Sequence, residues 1–79
     1  MERKEIFEKL TEVFRDVMNN DEIVLEETTS AEDIEEWDSL AHVQLIEKIQ
    51  EVFGIRFSAI EMSSWDDVGE FVDSIAAKL

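Results

Sequence analysis

Apolar residues in this chain recur at steps of three and four, and that spacing dictates helices rather than strands. Between residues 3 and 18, Ile6, Phe7, Leu10, Val13, Phe14, Val17 and Met18 alternate with Glu, Lys, Arg and Asp. Such a strip makes one face of an amphipathic helix, and Asn19-Asn20-Asp21 supplies its stop. A second helix is predicted over 39–53, with Asp38 as its N-cap and Gly54 as the glycine that follows its last turn. Ser58-Ala59-Ile60-Glu61 reads as a capping box opening a short third helix. The last helix is expected from about Asp66 to Lys78, capped by Ser64 or Asp66 and burying Val68, Phe71, Val72, Ile75 and Leu79. Trp65 is expected to anchor the turn before it.

Residues 19–38 show no sustained period. A connection of that length is uncommon inside a small domain unless it has a function. Ile23, Leu25 and Ile34 are expected to pin it to the helices, and Ser30-Ala31-Glu32-Asp33 to add a helical turn. There is no proline, no internal repeat and no interdomain linker. The sum is an all-α four-helix bundle in one domain spanning 1–79: three longer helices, one short helix, and a long loop between helices 1 and 2.

Composition narrows what such a bundle can do. A domain of 79 residues buries only about 60% of the surface its unfolded chain exposes, so an enzyme interior would have to share a thin core. The 21 acidic and 7 basic residues give a formal charge of −14. That surface repels nucleic acid and anionic membranes and steers toward basic patches on other proteins. No cysteine is present, which excludes disulfides, thiol nucleophiles and cysteine-type zinc sites. No run approaches the length of a membrane span, and no signal-peptide pattern follows Met1. A cytoplasmic location is expected, as is a monomer, since no apolar helix face is left over in this reading.

The second helix is the informative one. On a wheel of about 100° per residue, Val43, Leu45, Ile46, Ile49, Val52 and Phe53 fall on one broad side. Gln44, Glu47, Lys48 and Glu51 fall on the other, and Leu40 joins them as an apolar residue among acids. His42 lands in the middle of the apolar side. It is either a structural histidine bonded to a loop, the commoner case for such a position, or a residue at the mouth of a pocket near Ser39. Ser39 itself opens the helix, where backbone N–H groups are unpaired and the dipole favours an anion. A serine there is also simply a good helix-start residue, so Asp-Ser-Leu alone proves nothing.

The triplet does not stand alone. Glu36-Trp37-Asp38-Ser39-Leu40-Ala41-His42-Val43-Gln44-Leu45-Ile46 resembles the prosthetic-group attachment region of acyl carrier proteins. The first helix, the long loop, the Phe53-Gly54-Ile55 helix end and the short third helix follow in that family's order, so the resemblance covers essentially the whole chain. It implies 4′-phosphopantetheine on Ser39, placed there from coenzyme A by a phosphopantetheinyl transferase. The arm would supply the thiol that this sequence lacks and carry acyl or aminoacyl groups as thioesters, with catalysis left to partner enzymes that dock through basic patches. The space between the helices would shelter the cargo. By the same resemblance, Asp38 and Leu40, with Glu47 and Glu51, would serve partner recognition.

The chain also departs from the family pattern. Glu36-Trp37 precedes the motif where fatty-acid-synthesis carriers often have glycine and a small or apolar residue, and Ala41 follows it in place of an acid. Gln44 stands where glutamate is usual, and Lys48 adds a positive charge to the same face. These differences point away from bulk fatty-acid synthesis, toward a dedicated carrier in a polyketide, peptide, surface-polysaccharide or modified-acyl pathway. Three other classes fit the residues less well. A calcium-binding loop lacks its glycine and carboxylate spacing. An unmodified acidic adaptor explains the charge and the helices but not Asp38-Ser39-Leu40 beside a long loop. An enzyme has no phosphate loop, cysteine or histidine pair to build on.

Overall fold

The computed structural model describes residues 1–79 and contains four helices and no strand. They are α1 (Arg3–Met18), α2 (Ser39–Phe53), α3 (Ala59–Met62) and α4 (Val68–Lys78). α1 packs against both α2 and α4. Ile6, Leu10 and Phe14 of α1 meet Leu45 and Ile49 of α2 and Val68, Phe71, Val72 and Ile75 of α4 in one core, and none of these side chains is exposed. Burying an aliphatic or phenyl side chain of this size contributes about 1.5–3 kcal/mol.

Local chemistry sets the helix ends. α1 stops where Asn19 turns left-handed at φ 51°, its N–H returning to the carbonyls of Arg15 and Asp16. Asparagine tolerates that conformation better than most residues. The Asp38 carboxylate accepts from the Ala41 N–H at 2.8 Å and so starts α2. Gly54, at φ 65°, ends that helix by donating to the Gln50 carbonyl. α3 opens with the reciprocal Ser58–Glu61 capping box. It buries no residue of its own and is tied to the end of α4 by a 2.9 Å ion pair between Glu61 and Lys78.

α4 starts at Val68, two residues later than the sequence suggests. Its cap is Asp67, which accepts from Glu70 N–H at 2.9 Å, rather than Ser64 or Asp66. Asp66 instead donates its own N–H to the Glu70 carboxylate at 2.6 Å. Leu79, expected in the core, lies past the last helical turn and is 53% exposed.

The long loop is fastened to α4. The Val68 N–H donates to Thr29 O and the Gly69 N–H to Glu27 O, each at 2.8 Å. These are first-turn donors that no intrahelical carbonyl can satisfy. The close approach requires glycine: a Cβ on Gly69 would sit 2.7 Å from Glu27 Oε1 and 2.8 Å from Glu27 O. Arg3 adds a second tie, holding Glu27 at 2.6 Å and Asp73 at 2.7 Å. Ile23, Leu25 and Ile34 are buried as expected. Ser30–Asp33 forms a turn closed by Asp33 N–H to Ser30 O and by the Asp33 carboxylate on Ser30 N–H, not a turn of helix.

The helical wheel overstates the apolar side of α2. Ala41, Leu45, Ile46 and Ile49 face inward, whereas Val43 is 54% and Val52 40% exposed. The bundle covers only a narrow stripe of the helix, and residues at the edge of a broad apolar side stay in solvent. Leu40 is 68% exposed, as its position among acids implies. With Val43 one turn away, an apolar surface remains on α2, contrary to the expectation that none would be left over.

Candidate functional site

Ser39 is the first residue of α2 and is exposed. The Asp38 cap fixes the chain direction immediately before it, so the hydroxyl is presented at the point where the long loop becomes helix. A group attached here would leave the bundle at a helix N-terminus, where a phosphate is electrostatically favoured.

Beside it opens a cleft of about 410 Å³, lined among others by Trp37, Asp38, Ser39, His42, Trp65 and Asp66. Asp38 and Asp66 bring carboxylates to its rim. An anion is therefore favoured at the helix start and not deeper in the cleft, which is walled by rings. A serine exposed at a helix start, with a half-apolar cleft next to it, fits a phosphodiester-linked arm.

His42 organises that wall. Trp37 Nε1–H donates to His42 Nδ1 at 3.1 Å, which leaves the imidazole proton on Nε2, 3.4 Å from the Met62 carbonyl. The ring thus links the loop before α2 to the end of α3 and also lines the cleft beside Ser39. The two alternatives open from the sequence, a histidine bonded to a loop and one at a pocket mouth, describe the same side chain.

Trp37 and Trp65 were not legible as site residues. Trp65 stacks on Phe71, centroids 4.1 Å apart and planes 9° from parallel, and its Nε1–H donates to Ser74 Oγ at 2.7 Å. Trp37 meets Phe14 edge-on at 5.0 Å. The one sequence hint was large aromatic residues in polar segments flanking the Asp-Ser-Leu helix.

Leu40, Glu47 and Glu51 are exposed, at i, i+7 and i+11 of α2. That spacing sets them along one outward strip with Val43 between the first two. The strip is distinct from the cleft, which Leu40, Glu47 and Glu51 do not line.

Three comparisons bear on this geometry. Residues 8–75 match the family model described as a phosphopantetheine attachment site. No curated protein matches the sequence. Among solved structures, the chain is similar to the solution structure of a holo acyl carrier protein from Geobacter metallireducens, with a TM-score of 0.86 and 39% identity. That match covers 91% of this chain and 83% of the other.

Proposed function

The chain belongs to the acyl carrier protein family, in which 4′-phosphopantetheine is attached covalently, and we propose that Ser39 Oγ is the atom that holds it. The observation that carries this reading is the exposed Ser39 at the start of α2, inside the matched span and beside the one cleft walled by aromatic rings. The prosthetic group supplies a thiol on a long arm, and with it a thioester linkage for acyl cargo.

The protein's own residues position and present. Asp38 holds the first turn of α2 through Ala41 N–H, so the backbone that carries Ser39 is fixed for a phosphopantetheinyl transferase. Leu40 and Val43, with Glu47 and Glu51 further along the same strip, form the surface on which basic partner enzymes dock. Lys48 and Gln44 dilute its negative charge, which supports a specialised acyl pathway, polyketide or other, over bulk fatty-acid synthesis. The chain acts as a carrier and not as an enzyme. A single domain over 1–79, working as a cytoplasmic monomer between encounters, belongs to the same proposal.

Intact-protein mass spectrometry tests it, after incubation with coenzyme A, magnesium and a broad-specificity transferase. Wild type gains one phosphopantetheine and Ser39→Ala gains none. Gain on both proteins moves the site away from Ser39. Gain on neither, with the transferase active on a control carrier, leaves an acidic adaptor as the better reading.

A further inference from the structure

Ser39 lies between two side chains that are bonded to each other. Trp37 precedes it by two residues and His42 follows it by three, and the 3.1 Å bond from Trp37 Nε1–H to His42 Nδ1 spans the segment between them. Two further bonds bracket the same residue. Ala41 N–H donates to Asp38 Oδ1 at 2.8 Å, and His42 N–H to the Asp38 carbonyl at 2.9 Å. Those two hold the first turn of α2. Of the three, only the indole bond reaches back past Asp38 and fastens the loop to the helix.

The bonds differ in what they require. A backbone carbonyl accepts whatever the pH, whereas an imidazole accepts only while it is neutral. The imidazolium carries a proton on both ring nitrogens, and an indole N–H can only donate. Protonation of His42 therefore sets Nδ1–H against Nε1–H, and that bond is lost. On the other side of the ring, Nε2 carries a proton in both charge states and keeps its approach to the Met62 carbonyl, 3.4 Å away. His42 is half-buried and lines the cleft, so solvent can deliver the proton.

The groups around His42 leave room for the charge. The charged residues lining its cleft are Asp38 from the loop and Asp66 from the turn before α4, both carboxylates, and no lysine or arginine joins them. The end of α3 presents the Met62 carbonyl, the turn presents the Trp65 ring at 6.1 Å, and α4 presents the Phe71 ring at 6.3 Å. Trp37 N–H is the one donor set against the charged ring. Trp65 supplies the contrast: its Nε1–H donates to Ser74 Oγ at 2.7 Å, and a hydroxyl keeps its lone pairs where an imidazole loses its own.

We propose that the Trp37–His42 bond is a proton-operated clamp on the segment that carries Ser39, closed by the neutral imidazole and opened at Trp37 when His42 takes up a proton. Opening frees the loop side of the cleft and leaves the first turn of α2 in place. The clamp belongs to the unmodified chain, so it goes beyond the carrier reading and does not rest on it.

Nuclear magnetic resonance of the wild-type protein tests this over about pH 8 to 5, the range in which histidine changes charge, extended if necessary to acid unfolding. The His42 ring nitrogens report protonation. Solvent exchange of the Trp37 indole N–H, taken as a ratio to that of Trp65, reports the clamp and cancels the intrinsic pH dependence of exchange. The ratio should rise about fivefold, the loss of one ordinary hydrogen bond, with the midpoint of the His42 nitrogens. The Ala41 and His42 amides should keep their protection. A ratio that stays flat while His42 titrates overturns the proposal, as does a ring that remains neutral until the protein unfolds. Loss of protection at Ala41 and His42 with the same midpoint overturns a clamp confined to Trp37. His42→Gln offers an acceptor that cannot titrate, and its ratio should not change with pH. A fivefold rise in that variant would assign the effect to the carboxylates and overturn the role of His42.

Discussion

Trp37 and His42 are joined by an indole-to-imidazole hydrogen bond of 3.1 Å, five residues apart across the start of α2. The bond fixes the tautomer of the histidine, since a ring nitrogen that accepts cannot carry the proton. The neutral imidazole of His42 is therefore expected to show the Nε2–H signature in 15N spectra. Trp37→Phe keeps the ring against Phe14 but removes the donor. It should release the tautomer preference and cost about 1 kcal/mol in urea unfolding. An unchanged 15N pattern in that variant would show that Trp37 does not set the tautomer.

Asp38 has a structural duty that precedes any role in recognition. Removing its bond to Ala41 N–H in Asp38→Ala should destabilise the protein by about 1 kcal/mol, while Asp38→Asn, which still caps, should lose much less. Denaturant midpoints at equal slope measure both. If both variants accept phosphopantetheine at the wild-type rate, the carboxylate charge has no part in transferase recognition.

Gly69 is where the loop comes closest to α4. Gly69→Ala must push Glu27 away, since both its carbonyl and its carboxylate stand within 2.8 Å of the new methyl. Overpacking of this sort costs about 1–3 kcal/mol. The change should also speed hydrogen exchange at the Val68 and Gly69 amides, which the loop carbonyls protect. Equal exchange rates in variant and wild type would mean that the strap survives the extra methyl.

Acid should weaken two ties in particular. The Arg3 side chain holds Glu27 below its ordinary value of 4.5, and Ser58 N–H, with Lys78, does the same for Glu61. A carboxylate with a lowered folded pKa takes up protons first in the unfolded chain. Its contribution is complete above about pH 4.5 and disappears as pH falls through the lower folded value. Protonation also relieves the repulsion of a −14 protein and acts in the opposite sense. The informative quantity is the difference between wild type and Arg3→Gln. That difference should shrink below pH 4.5, and also at high salt, because the pair is exposed. A difference that stays constant across both ranges would remove the Arg3–Glu27 pair as its source.

The features readable from sequence were those fixed by neighbours in the chain. α1, the Asp38 cap, Gly54 and the Ser58–Glu61 box each depend on residues within one or two turns, and each lies where the sequence puts it. The Asp67 cap is equally local, but Ser64 and Asp66 are the candidates the sequence suggests; Asp67 takes the Glu70 N–H, while the Glu70 carboxylate accepts from Asp66 N–H. Val43 and Val52 could not be sorted by a wheel, because how much of α2 is covered depends on the helices packed against it. At the site, Ser39 and Leu40 were legible from their motif and their place on the helix. The wall was not: whether Trp37 reaches His42 depends on the path of the loop, and whether Trp65 reaches Phe71 depends on how α4 is set down.

Both tryptophans of the protein stand in the wall of the cleft. All of its indole fluorescence therefore originates within the one surface where an arm or its cargo would rest. One fluorophore is bonded to an imidazole and the other stacked on a phenyl ring. A change in emission on loading would report on the cleft, with no other tryptophan to dilute the signal and no dye to disturb it.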